Sequence, residues 1–166
     1  MSILKIHEFP DPILKKTCNK VMVFDSNLEL FIKDLIETMY SHKFCVGLAA
    51  PQVGNLQRII AIDISKARKP QLNNGLLVLI NPAFLEQSDF KIVREGCLSI
   101  PDFTANVKRA MKIKVQLQNI KGEDKIIESM DLEAHAIQHE MDHLDGILFL
   151  DKMANPATDL FRRMKK

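Results

Sequence analysis

Tryptophan is absent from the 166 residues, tyrosine occurs once, and only six residues are glycine. So little glycine excludes collagen-like and low-complexity chains. The 46% apolar and 27% charged content excludes a disordered one. No apolar run approaches the ~20 residues of a membrane helix; Leu76 to Ile80 is among the longest. The opening, Met1 to Pro10, lacks an apolar block and carries Lys5, His7 and Glu8, so no secretory signal is expected. The Arg/Ser bias of a transit peptide is also missing. Cys18, Cys45 and Cys97 are odd in number and widely spaced, which argues against a disulfide framework and for a reducing compartment, the cytoplasm. The formal net charge is only +2, too small a field to argue for DNA. No membrane partner is expected either.

A chain of 18.9 kDa without repeat, linker or break in composition predicts one domain spanning residues 1–166. Asp25 to Lys43 carries Leu28, Phe31, Ile32, Leu35, Ile36 and Met39 at helical spacing, with Ser26 and Glu29 as a capping box. Arg58 to Ile64, Leu76 to Asn81 and Phe90 to Arg94 read as strands. Lys112 to Gln118 alternates Ile113, Val115 and Leu117 with polar residues, the pattern of a half-buried strand. A Lys-Gly turn follows, and Lys125 to Ser129 suits its hairpin partner. Asp131 is the expected N-cap of a helix from Leu132 to about Leu144, stopped by Gly146. Asn155 to Lys166 reads as a short basic helix. Strands in the middle with helices before and after predict an α+β fold.

The five histidines are unevenly placed: His135, His139 and His143 lie within nine residues. His139-Glu140-Met141-Asp142-His143 is an H-E-x-x-H match. Residues four apart stack on one helix face, so two imidazoles converge on one metal with the glutamate beside them. The common continuation would place a third ligand at position 149, which is phenylalanine, and no Glu, His or Cys follows His143. His135 and His143 are eight residues apart, about 12 Å along a helix, too far to share one ion; His135 reads as a structural or pocket-wall residue. The missing ligand must lie upstream, and Cys97 is the best candidate, since thiolates bind borderline-soft divalent metals strongly. Cys/His/His with a fourth position open is a catalytic arrangement. Gln138 either braces the fold or orients the site. Asp142 either accepts an N–H from a ligand imidazole or is solvated, the first being preferred.

Three blocks together resemble the peptide deformylase family, bacterial type. They are Gly47-Leu48-Ala49-Ala50-Pro51-Gln52, Glu95-Gly96-Cys97-Leu98-Ser99 and Gln138-His139-Glu140-Met141-Asp142-His143. The opening Phe9-Pro10-Asp11-Pro12-Ile13-Leu14 is similar as well. The resemblance implies small antiparallel sheets packed around the motif helix, with an N-terminal and a short C-terminal helix. It implies removal of the formyl group from N-formylmethionyl peptides and nascent chains, with formate released. Fe²⁺ would be the native metal, one per chain, replaceable by Zn²⁺, Ni²⁺ or Co²⁺; the residues alone would suggest zinc.

By matching position, the resemblance makes Cys97, His139 and His143 the metal ligands and Glu140 the general base and acid. Gln52 and the Leu98 N–H would hold the oxyanion, and Gly47 would offer its backbone to the substrate. Glu95, paired with Arg109, would support the ligands. Val46, Val93, Leu132 and His135 are candidate walls of a methionine pocket. Cys45 stands where the family's first motif usually begins with glycine, and Phe103 and Thr104 stand where some members have a basic residue. The basic tail suggests a weak ribosome contact, and a monomer is expected. Two readings from other classes stand beside this one: a small intracellular metalloprotease using the same helix, and a non-catalytic module closed around a four-ligand metal.

Overall fold

The computed structural model describes residues 2–69 and 71–164. The apolar stripe near the N-terminus forms helix α1, Ser26–Ser41. Its cap is Asp25, whose Oδ1 accepts the Leu28 N–H at 3.0 Å, one residue before the expected Ser26. Strands β1 (Gly47–Ala49), β2 (Ile59–Ile62), β3 (Leu77–Cys97), β4 (Ile100–Gln118) and β5 (Asp124–Met130) follow. Helix α2, Asp131–Leu144, and strand β6, Leu160–Arg162, complete the chain. These strands pair antiparallel, in the order β1-β2-β3-β4-β5, with β6 on β4. The small sheets expected from the sequence are thus one hydrogen-bonded path, and the α+β reading stands.

β2 shows why the sheet is covered on both faces. All four of its residues are buried. Ile59 and Ala61 join Leu28, Ile32, Leu35 and Met39 of α1 in one core, whereas Ile60 and Ile62 join Ile137, Met141 and Leu144 of α2 in another. Alternate side chains of a strand face opposite sides, so an unbroken apolar run signals a central layer. A third cluster, with Leu14, Ile100, Val107, Leu148 and Phe149, packs around Cys97.

β3 and β4 form one long hairpin, although Leu76 to Asn81 and Phe90 to Arg94 read as separate strands. Register shifts between Ile80 and Ala83, and between Phe84 and Glu86, interrupt the alternation without ending the pairing. The N-terminal half of β4 was not expected at all. Asp131 does not cap α2. Strand pairing runs to Met130, the residue preceding the helix, so Asp131 makes the turn itself (φ 50), and Gln71 Oε1 accepts the Leu132 N–H at 3.3 Å. The expected C-terminal helix is also absent among the described residues. Asn155 Oδ1 accepts from Ala157 N and Asp159 Oδ2 from Asn155 N, a side-chain-bonded turn around Pro156 that leads into β6. Lys165 and Lys166 lie outside the described residues.

Gly146 ends α2 in the left-handed region, φ 69, and a Cβ there would press on the Lys15 carbonyl. Gly75 has nearly the same φ, 70, with nothing within 4 Å of a Cβ. Left-handed backbone costs an L-residue about 1–2 kcal/mol. Gly75→Ala should therefore lower stability by that amount alone. Gly146→Ala should depress the thermal unfolding midpoint by several degrees more, and equal shifts would mean the Lys15 contact costs nothing.

Candidate metal centre

Helix α2 is buried almost all round, yet its buried residues include Glu133, Gln138, His139, Glu140, Asp142 and His143. Each such group needs a partner. Gln138 clamps β4: its Oε1 accepts the Ala110 N–H at 2.9 Å and its Nε2 donates to the Ala110 carbonyl at 2.7 Å, a bracing role. Glu133 accepts from Asn74 N and from Ser129 Oγ, pinning the segment before β3; no signal in the sequence singled it out.

His139 and His143, one turn apart, face Cys97 at the end of β3. Ligand atoms of the three buried residues lie within 4.8 Å of one another. Cys97 Sγ is 3.3 Å from His143 Nε2, and the two rings meet edge to face with centroids 5.1 Å apart. Glu95 Oε2 lies 2.7 Å from His139 Nδ1, which leaves Nε2 for the site. This soft-and-borderline donor set, buried and convergent, fits a divalent transition metal. Among the described residues no fourth His, Cys, Asp or Glu joins the group. Burial, then the neighbouring His139, pushes the His143 ring well below its usual pKa, toward the neutral form a ligand needs. His139 is raised, because Cys97 and Glu95 outweigh burial; a bound cation would displace that proton.

Glu140 is buried, and its Oε2 has no hydrogen-bond partner. Burial lifts its carboxyl to about 7, a value suited to passing a proton in both directions. Gly47 is glycine for a local reason: a Cβ there would lie 2.8 Å from Glu140 Oε1 and 2.9 Å from Ile62 Cδ1. Gln52 is held with its NH₂ toward the site. Its Oε1 accepts the Ala49 N–H at 2.9 Å, while Nε2 donates to Ser99 Oγ at 3.1 Å and reaches Cys97 Sγ at 3.4 Å. Ser99, fully buried, anchors that amide, a role its place in the second motif does not reveal.

Beneath the ligands, Glu95 also pairs with the Arg109 guanidinium through Oε1 and with His135 Nε2 at 3.1 Å. Burial would raise the Glu95 pKa, but hydrogen bonds from His135, His139 and Arg109 hold it well below the carboxylate range. Arg109 Nη1 donates to Asp142 Oδ2 at 2.7 Å, and Lys152 Nζ to Asp142 Oδ1 at 2.9 Å. Asp142 therefore serves Arg109 and Lys152 and not an imidazole; His139 Nδ1 is taken by Glu95, and His143 Nδ1 has no partner. Val46, Gly47, Gln52, Leu98, Leu132, His135 and Glu140 all line one cleft of about 750 Å³ with Cys97 and His139. Val93 does not line it. It sits in β3 opposite Val107, two residues before Glu95, outside the walls.

A family model described as polypeptide deformylase matches residues 3–159. The chain is 42% identical over 166 residues to a peptide deformylase of Thermodesulfovibrio yellowstonii, covering all of this chain and 98% of that one. It is 46% identical over 154 residues to peptide deformylase 1 of Clostridium acetobutylicum, covering 93% and 97%. The crystal structure of a peptide deformylase from Thermotoga maritima superposes with a TM-score of 0.85 at 39% identity, over 93% of this chain and all of that one.

The geometry separates holding a metal from working beside it. Cys97→Ala and His143→Ala should each abolish stoichiometric zinc or nickel uptake, measured on the purified protein. Glu95→Gln, with all three ligands present, should weaken uptake about 10–100-fold. Glu140→Gln should leave uptake intact, and loss of metal from that variant would make Glu140 a ligand.

Proposed function

The chain belongs to the polypeptide deformylase family, and on that premise we propose how its residues carry out the family's reaction. It is a metal-dependent hydrolase that removes the formyl group from nascent peptides. One observation carries the division of roles: a buried Cys97/His139/His143 set lies in one cleft with an unpartnered Glu140 carboxyl oxygen. Cys97, His139 and His143 hold the cation, Fe²⁺ in the native enzyme, with Zn²⁺, Ni²⁺ or Co²⁺ able to replace it. When bound, the cation acts as a Lewis acid that makes water more acidic and polarises a carbonyl.

Glu140 takes a proton from the attacking water and later gives it to the leaving amine, so that formate and a free N-terminus are released. The Gln52 amide and the Leu98 N–H donate to the oxygen on which charge develops. Among the described residues β1 is the last strand of its sheet, with β2 on one side only. Its free edge at Val46 and Gly47 suits an extended peptide added as a further strand. Val46, Leu132 and His135 wall the pocket for the methionine side chain, and Val93 takes no part. Glu95 and Arg109 keep His139 oriented.

Residues 1–166 act as one catalytic domain and a monomer in the cytoplasm, with a weak ribosome contact through the basic tail. The metalloprotease alternative needed a downstream ligand, and Cys97 supports a different ligand set. A closed structural site would need a fourth donor, which the described residues do not bring to it.

Formate release from formyl-Met-Ala-Ser, abolished by a chelator, tests the reading directly. The formyl carbon bears only hydrogen, and an acetyl methyl would press on Gly47 and the His139 ring; Leu48, expected to share that wall, instead packs into the α1 core. A displacement of about 1 Å can cost 10²-fold, so N-formyl-Met peptides should exceed N-acetyl-Met peptides in kcat/KM by at least about 10²-fold. Comparable constants would sink this reading. The metal assignment predicts that the iron form loses activity in air as Cys97 or the ferrous ion oxidises, while a nickel-loaded form persists. An iron form stable in air with unmodified Cys97 would count against iron.

A further inference from the structure

The inner cleft is neutralised by its own pairings, but its mouth is not. Four cationic side chains line it: Lys43 and Arg68 beside β1, Arg94 on β3 and Arg163 after β6. The acidic residues among its lining are Glu95 and Glu140, both buried in the centre. Some surface cations elsewhere meet carboxylates, as Lys15 with Asp151, Arg58 with Asp145, Lys114 with Glu86 and Lys152 with Asp142, and others stand singly; what distinguishes the rim is that four converge on one cleft. None of the four rim cations pairs with a carboxylate among the described residues. In a chain of net charge +2 this is a local concentration of one sign, not a general excess.

The rim cations are also positioned. Phe44, exposed and in the left-handed region (φ 65), places its ring 4.1 Å from the Arg68 guanidinium and 5.0 Å from Lys43 Nζ. Across the cleft, Phe161 lies 3.5 Å below the Arg94 guanidinium, whose Nε donates to Asn106 Oδ1 at 2.9 Å. The Arg163 side chain lies across Gly96, where a Cβ would collide with it. Stacking on a ring orders a cation without neutralising it. The two walls thus present fixed charges, two on the β1 side and two on the β3 side, still free to accept an anionic partner.

We propose that this rim selects substrates carrying acidic side chains at the two residues that follow formyl-methionine, an inference that rests on the deformylase reading. A peptide extended along the β1 edge points successive side chains to opposite sides. Adjacent acidic residues therefore address the two walls in turn, one toward Lys43 and Arg68 and the other toward Arg94 and Arg163. The contacts are at the cleft mouth and exposed to solvent, so they act mainly on capture and weaken with salt. A peptide with lysines at these places meets four like charges instead.

The test compares kcat/KM for formyl-Met-Ala-Ala, formyl-Met-Glu-Asp and formyl-Met-Lys-Lys. All three are C-terminal amides, so that no free carboxylate competes. At about 20 mM salt the Glu-Asp peptide should exceed the Lys-Lys peptide by about 10-fold, and the ratio should shrink at about 300 mM, where screening shortens the reach of the rim. In Arg68→Glu/Arg94→Glu the order of the two charged peptides should invert. Turnover of formyl-Met-Ala-Ala with equal constants for the charged pair at both salts would overturn the rim proposal and leave the deformylase reading standing. No turnover of any formyl peptide by the metal-loaded enzyme would overturn both. Inhibition by polyuridylate without any preference among the peptides would assign the rim to nucleic acid and also overturn the proposal.

Discussion

The Glu95 carboxylate is the point on which the centre hangs. It is buried on β3, and it is tied to Arg109 of β4 and to His135 and His139 of α2. From it a line of alternating charge runs outward through Arg109 and Asp142 to half-exposed Lys152. Taking such charges out of water costs several kcal/mol per ion, and only near-complete pairing offsets it. Removing one member typically costs about 3–5 kcal/mol, since the rest remain buried and unpaired. Replacing the whole cluster by apolar groups could match it in stability but would lose the acceptor that orients His139. The cluster is better understood as holding a ligand ring in one tautomer than as a source of fold stability.

That constraint explains an oddity of α2. A helix buried on nearly every face is ordinarily apolar on nearly every face. Here Ala134, Ile137, Met141 and Leu144 supply the packing while the intervening positions carry six buried polar side chains. The helix can tolerate them because the long β3–β4 hairpin brings acceptors and donors to it: Glu95, Arg109 and the Ala110 backbone. The exceptions are Glu140 Oε2 and His143 Nδ1, buried atoms without partners. The Glu140 vacancy faces the cleft, where incoming molecules can serve it.

What was legible in the sequence followed the range over which each signal acts. His139 and His143 lie one helical turn apart, so spacing alone places them on one face. The amphipathic stripe of α1 and the alternation from Lys112 to Gln118 are equally local. Cys97 is 42 residues from His139 in the chain, and only its chemistry and the family resemblance pointed to it. Neither reading open for Asp142, an imidazole partner or solvent, matches its partners Arg109 and Lys152, which come from other elements. β3 was divided in two because its register shifts break the period-two pattern while leaving the pairing intact. The tail was misread as a helix because its charge pattern carried no sign of the Asn155 turn or of the β4 edge waiting for β6. Val93 shares the strand face of Glu95, two residues on, but lies farther along β3 than the cleft reaches, a limit that alternation alone does not reveal.

The site therefore divides into two regions built by different physics. Inside, Glu95, Arg109 and Asp142 pair with one another while Glu140, the proposed proton carrier, keeps an unpartnered oxygen, and Gly47 is held to a hydrogen side chain by the approach of Glu140. Such close packing leaves little room for variation: a methyl group added at Gly47 displaces the carboxylate, the Ile62 side chain, or the strand edge itself. Outside, Lys43, Arg68, Arg94 and Arg163 rest on aromatic faces and glycine backbone, with no buried charge to satisfy and, for Arg94, one hydrogen bond to Asn106. Changes there alter which peptide arrives without disturbing how its formyl group is cut. Separating a rigid, self-neutralised interior from a charged and replaceable rim lets one scaffold keep its chemistry while its preference among substrates shifts.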